Sequence, residues 1–562
     1  MFPFRNTLLL RCNMTHFSLA TAILLYNLVG VFATDTQNNG DPIVTISDGI
    51  IRGRSLQSQK NSQFYAFQQI PYASPPVGHL RFRSPVPPQK WNHTWNATEN
   101  TKICYQLERN DSRETEDCLY LNVYTPVLGP TENPLAVYVF LHGGKFIFND
   151  GTYESFGPEF LMDYGIILVT LNYRLGAFGF LSTDDSTIPG NMGLEDQLQA
   201  LLWVRENIHA FGGDPNKITL GGQSSGAASV GHHLLSPQST GLFRSAIMQS
   251  GSPLCSKMFQ KHPKYYANKL VSLLQDTAPP YISSLHVLQV LQNASAEDIK
   301  KHSDIAIPTE LRNSVGNEDN RVWAPVIDGS FVIGAMHENL KHGKFSAIPT
   351  LIGINSEEQI HFDSKELWSK TGYFDSSPSY LINGNLNIEN EYKLIAGLEI
   401  KSIYTNGSFE KDFGSFVRFM SDAKYTTAVI RHADLQKKYS TLFFYQFSYH
   451  GLFNNNNASV EGAERVGHSE ENNFLFRMRS NRDLENFPKS DLDAQARLLE
   501  IWTNFIKFSN PSPTGMNWPQ VEPGLFSYVN INTTLSIKQD PKDYQKWRSV
   551  YDKYADQYQE TY

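Results

Sequence analysis

Ser224 lies in Ile218-Thr219-Leu220-Gly221-Gly222-Gln223-Ser224-Ser225-Gly226-Ala227-Ala228, an apolar run that enters Gly-x-Ser-x-Gly and leaves through small residues. This pattern holds a serine on a tight strand-to-helix turn with its hydroxyl presented for attack. The neighbours must be small because the chain doubles back, and glycine reaches the required dihedrals at least cost. The implied chemistry is acyl transfer through a covalent acyl-serine. Because the pentapeptide alone is common, its flanks and its partners must carry the reading.

An activated serine needs a base, a group that orients the base, and donors for the developing oxyanion. Donors are offered by His142-Gly143-Gly144-Lys145-Phe146, which follows the apolar run Leu135 to Leu141. Consecutive small residues let the N–H groups of Gly144 and Lys145 converge with that of Ser225. His142 belongs to the turn and reads as structural. The base candidate is His468, in a polar loop ahead of a helix, with His450 as competitor. The orienting acid is Glu358 or Glu357, after the run Thr350 to Ile354. A carboxylate there would fix the imidazole tautomer and stabilise its charged form.

Strands must place these groups. Buried-strand runs recur at Leu135 to Leu141, Ile166 to Leu171, Ile218 to Leu220, Ala246 to Gln249, Thr350 to Ile354 and Leu442 to Phe447. Helical stretches such as Leu194 to Ile208 separate them. The alternation predicts an α/β fold: a mostly parallel sheet flanked by helices, with functional loops at the C-terminal strand ends. Neither a repeat nor a linker interrupts the chain, and the run Asn454 to Asn457 reads as a turn.

A chain of 562 residues with 40% hydrophobic content can bury a large core. A net charge of -8 without a Lys/Arg cluster excludes nucleic acid as the expected partner. Arg5 and Arg11 precede an apolar stretch from Phe17 to Ala33 ending in small residues, which reads as a secretory signal over 1–33, followed by one domain over 34–562. Asn27 and Gly30 interrupt that stretch and weigh against a signal anchor, and the polar C-terminal residues suggest no stable membrane anchor. The expected location is extracellular. Cys104 and Cys118 bracket a polar loop; a bridge there would stabilise by about 3 kcal/mol in an oxidising compartment. Cys255 is left over and reads as a buried thiol. Sequons at Asn92, Asn96, Asn110, Asn293, Asn406, Asn457 and Asn532 suit a glycosylated surface.

The chain resembles type-B carboxylesterases, the family that includes cholinesterases, and is most similar to the secreted carboxylesterases of insects. The likeness rests on Ile70-Pro71-Tyr72-Ala73, Glu116-Asp117-Cys118-Leu119-Tyr120-Leu121-Asn122, Asn172-Tyr173-Arg174-Leu175-Gly176, Phe211-Gly212-Gly213-Asp214-Pro215, Gln249-Ser250-Gly251 and the serine block. It implies the α/β-hydrolase fold and the order Ser224 nucleophile, Glu358 acid, His468 base. It further implies oxyanion donors at Gly144, Lys145 and Ser225, a supporting serine at Ser250, a Cys104–Cys118 disulfide, a small-molecule ester substrate and no metal or organic cofactor. Departures bear on specificity. Lys145 replaces the family's Gly or Ala, and its ammonium is expected beside the acyl pocket or gorge, where it would narrow acyl choice or add charge to the oxyanion site. Gln223 resembles juvenile hormone esterases, whereas Arg465 stands where their histidine motif has Gly. The Cys104–Cys118 loop holds no tryptophan for a quaternary ammonium, which weighs against acetylcholine. The expected function is hydrolysis of uncharged lipophilic esters. The alternatives are stoichiometric trapping of esters or organophosphates and a catalytically weak binding protein.

Overall fold

The computed structural model describes residues 40–275, 282–307, 322–360, 364–383, 386–454, 456–482 and 486–555. The expected signal segment, 1–33, lies outside them. Its strands are β1 (Ile43–Ile46), β2 (Gly49–Arg52), β3 (Arg54–Gln57), β4 (Gln63–Pro71), β5 (Thr94–Asn96), β6 (Tyr120–Thr125), β7 (Leu135–Leu141), β8 (Ile167–Leu171), β9 (Gly213–Gln223), β10 (Ser245–Gln249), β11 (Thr350–Asn355), β12 (Leu442–Phe447), β13 (Ser527–Ile531) and β14 (Leu535–Gln539). β1, β2 and β5 form a small sheet. The other eleven are ordered β14-β13-β12-β11-β10-β9-β7-β8-β6-β4-β3.

The middle of the large sheet, from β13 to β8, is parallel throughout. Its strands are continuous apolar runs because both faces are covered. In β7, Val137, Val139 and Leu141 enter one core while Ala136, Tyr138 and Phe140 enter the other, as the two-residue side-chain period requires. The antiparallel strands β3, β4, β6 and β14 escape the sequence reading, which follows apolar runs. Half-buried edge strands such as β14 carry mixed residues and leave a weaker pattern.

Parallel pairing aligns strand ends that lie far apart in sequence. Leu141 sits opposite Gly222, Gln223 opposite Gln249, and Asn355 opposite Phe447. The segments carrying Gly144, Ser224, Ser250 and Glu358 therefore leave the sheet along one edge. Cys104 and Cys118 are disulfide-bonded, and Cys255 is buried and outside any disulfide. Asn92, Asn96, Asn110, Asn293, Asn406 and Asn457 are exposed, and Asn532 is half-buried. No described helix is long and apolar enough to cross a membrane.

Candidate active site

β9 runs into Ser224 and the helix Ser225–Leu235 starts at once. Ser224 has φ 57° and ψ −121°, which side chains of L residues avoid. Its N–H donates to Gln249 O at 2.8 Å, and its carbonyl accepts the Ala228 N–H at 2.9 Å. Glycine is obligatory beside it. A Cβ on Gly226 would lie 2.1 Å from Leu141 O, and one on Gly222 would lie 2.5 Å from the Gly226 carbonyl carbon. The helix N-terminus behind Ser224 favours negative charge.

The loop after β7 lies against this turn: a Cβ on Gly143 would sit 3.0 Å from Ser224 Cβ. Two contacts aim its amides. In a trans peptide the C=O and the following N–H point in opposite directions. His142 Nδ1 is 2.8 Å from Gly143 O, and a carbonyl can only accept, so Nδ1 carries the proton. That bond turns the Gly144 N–H the other way. The Gly144 carbonyl accepts from Ile147 and Phe148, at 3.0 and 3.1 Å, which turns the Lys145 N–H likewise. Burial pushes the His142 imidazole down to about 4, so it stays neutral. Tyr173 stacks on it with centroids 4.5 Å apart. His142→Phe keeps the stack and loses the bond to Gly143. A loss of about 10–100-fold in kcat is expected, with KM little changed, in steady-state ester hydrolysis.

The Lys145 ammonium lies 3.3 Å from Glu108 Oε2 and 5.5 Å from the Phe148 ring centre. A carboxylate on the disulfide loop thus counters the charge that was expected to act beside the acyl pocket.

His468 and Glu358 meet, with Nδ1 2.6 Å from Oε2. Glu358 is fully buried, and its Oε1 accepts the Asn355 N–H at 2.8 Å. A carboxylate only accepts, so Nδ1 carries the imidazole proton and Nε2 keeps its lone pair. Gln223 Nε2 donates to that lone pair at 3.1 Å, which turns the basic edge of His468 toward the Ser224 turn. Backbone bonds hold the histidine loop to the acid loop: His468 N–H to Glu358 O at 3.1 Å and Glu357 N–H to Val466 O at 2.8 Å. Glu357 faces elsewhere, onto Ser421 and the Glu464 N–H. His450 is tied to Asn456 O at 3.0 Å. Ser250 is fully buried at the end of β10 with φ 51°, and its hydroxyl has no partner among the described residues.

Sequence reasoning missed two neighbours. Tyr425 stacks on His468, centroids 4.2 Å apart, from a π-helical turn (Asp422–Thr426). Glu471 is fully buried and accepts from Gln249 Nε2, at 3.0 Å, and from Asn355 Nδ2. Its position three residues after His468 was the available signal. Burial, then the charge of Glu358, pushes the Glu471 carboxyl up to about 7. With its folded value above its unfolded one, this group's stabilising share is full below about pH 4.5 and is lost as pH rises through 7. Glu471→Gln should flatten that loss, so wild type loses on the order of 1–3 kcal/mol relative to the variant between pH 4.5 and 8. Denaturant unfolding across that range checks it.

The family model described as "Carboxylesterase family" matches residues 40–547. The chain is similar to a venom carboxylesterase-6 of Apis mellifera, 31% identical over 92% of this chain and 95% of the relative. It is similar to a juvenile hormone esterase of Tribolium castaneum, 33% identical over 85% of each chain. A cholinesterase of Mus musculus is 30% identical over 88% of this chain and 84% of the relative.

Proposed function

Since this chain belongs to the carboxylesterase family and is a carboxylic-ester hydrolase, we propose that Ser224, His468 and Glu358 carry that hydrolysis. The His468–Glu358 contact of 2.6 Å, with Nε2 turned to the Ser224 turn, is the observation that carries the reading. Ser224 Oγ attacks the ester carbonyl and His468 Nε2 takes its proton. The oxyanion collects the N–H groups of Gly144, Lys145 and Ser225. His468 gives the proton to the leaving alcohol, then activates a water that releases the acid.

The substrates are uncharged lipophilic esters. The tryptophan-free loop between Cys104 and Cys118 supports this against choline esters. Relatives named for venom, for juvenile hormone and for choline show how widely the scaffold is used, so its site rather than its fold must set the substrate. The protein works outside the cell as residues 34–562, glycosylated at the sequons, a reading supported by the Cys104–Cys118 disulfide and the exposed asparagines.

The alternatives are stoichiometric trapping and a catalytically weak binding protein; the Gln223 amide on the Nε2 lone pair slows acylation and deacylation alike and so singles out neither. Stopped-flow hydrolysis of p-nitrophenyl esters from acetate to octanoate separates the readings. A stoichiometric burst followed by sustained turnover is expected. A burst that stalls would establish trapping, and neither burst nor turnover would leave a binding protein.

A further inference from the structure

Asp540, Lys542 and Asp543 all have positive φ, at 50°, 57° and 53°, and none is glycine. Such backbone persists only where the surroundings over-determine it. The Lys542 side chain is one of the constraints here, beside the Asp540 N–H bond to Phe526 O at 3.0 Å. That side chain is 15% exposed, donates to the Ser356 carbonyl, and lies 3.5 Å from Glu464 Oε1. Burial works against its ammonium, but Glu357, Glu464 and Asp422 together hold the amine above the ordinary lysine range.

Those partners surround the acid loop. Glu357 Oε1 accepts from Ser421 Oγ at 2.6 Å and Oε2 accepts the Glu464 N–H at 3.0 Å. Ser421 Oγ also accepts the Gln359 N–H at 3.0 Å, so one hydroxyl grips the residues on both sides of Glu358. Ser421 ends the helix Phe413–Ser421, and the π turn that carries Tyr425 follows directly. The same C-terminal segment reaches that turn a second way. Trp547 Nε1 donates to Tyr404 Oη at 2.6 Å, and Tyr404 donates to Asp422 Oδ2 at 2.7 Å.

We propose that Lys542 is a positioning residue for ester hydrolysis: by joining the Ser356 carbonyl to the Glu464 carboxylate it ties the acid loop to the segment leading into His468, while Ser421 ties the same loop to the π turn, so that Glu358 and Tyr425 hold the His468 imidazole by its edge and its face. The inference rests on the assignment of Glu358 and His468 to catalysis. Without the ammonium, the buried Glu357 carboxylate loses a countercharge, and such a group moves or takes up a proton. The loop then shifts, and the imidazole with it. Small misplacements of a reacting group cost rate without touching substrate affinity.

The test compares Lys542→Met and Lys542→Arg in the full chain. Lys542→Met is expected to lower kcat about 10–30-fold, as misplacement of a catalytic group does. KM should stay within about two-fold, since ground-state binding is untouched. The low-field proton resonance of the His468 Nδ1–H to Glu358 bond should broaden. Lys542→Arg, which keeps the charge, should restore both readouts. An unchanged kcat in Lys542→Met, or a lowered kcat with the resonance intact, overturns the proposal. Lys542→Gln, judged by the same readouts, serves if Lys542→Met does not fold. Should Ser224→Ala leave turnover intact, the catalytic assignment itself fails; should it abolish turnover while Lys542→Met is fully active, only this inference falls.

Discussion

Ser224→Ala is expected to lower kcat for p-nitrophenyl butyrate by about 10⁶-fold with KM little changed, the scale seen when such a nucleophile is removed. The burst of p-nitrophenol should vanish with it, because no acyl-enzyme can form. A residual rate of about 10³–10⁴ over water should survive, since the proposed oxyanion donors, the amides of Gly144, Lys145 and Ser225, are untouched by the substitution. Alanine at φ 57° suffers the same steric conflict as serine, so the strain of the turn, about 1–2 kcal/mol, stays in this variant. Ser224→Gly removes both the hydroxyl and the conflict. It should be as inactive as Ser224→Ala yet more stable by about 1 kcal/mol in denaturant unfolding. Retention of more than about 1% of wild-type kcat by Ser224→Ala would remove the serine from the mechanism.

Glu358→Gln should cost about 10⁴-fold in kcat, for a reason of tautomers. Glu358 Oε1 accepts the Asn355 N–H, so a glutamine must keep its oxygen there. Its NH₂ then faces His468 Nδ1, where the carboxylate faced it at 2.6 Å. An N–H donor at that place forces Nδ1 to accept, which moves the ring proton to Nε2. That edge can no longer take the Ser224 proton. Glu357→Gln is the internal control. Its carboxylate touches Ser421 and the Glu464 N–H and not the imidazole, so its loss should cost less than about 10-fold. Equal losses in the two variants would mean that the loop, and not the charge of Glu358, sets the rate.

The adjacent pair Glu357 and Glu358 also marks how far the amino-acid sequence reaches. Both acids are fully buried, one residue apart, after the same strand. Which one meets His468 depends on how the loop after β11 turns, and that is set by Ser421, Glu464 and Lys542 from distant parts of the chain. Likewise, His468 and His450 differ in role because backbone bonds to Glu358 and Glu357 anchor one histidine loop to the acid loop, while the other ring is tied to Asn456. Glu358 and His468, the pair that the resemblance implied, lie in contact in the structure, whereas local spacing left both choices open.

What could be read directly was local in origin. The Ser224 turn needs glycines within two residues because backbone atoms approach too closely for a Cβ. The continuous apolar strands follow from a parallel sheet covered on both faces. The half-buried antiparallel edges, the π turn under His468, the acid Glu471 beside Glu358 and the Lys542 cluster left no periodic signal. The last two arise from single side chains meeting through space, where burial strengthens each charge and hydrogen bond by excluding water. Local backbone requirements were therefore written along the chain, whereas the electrostatic surroundings of His468 were decided only by the packing of segments remote from it.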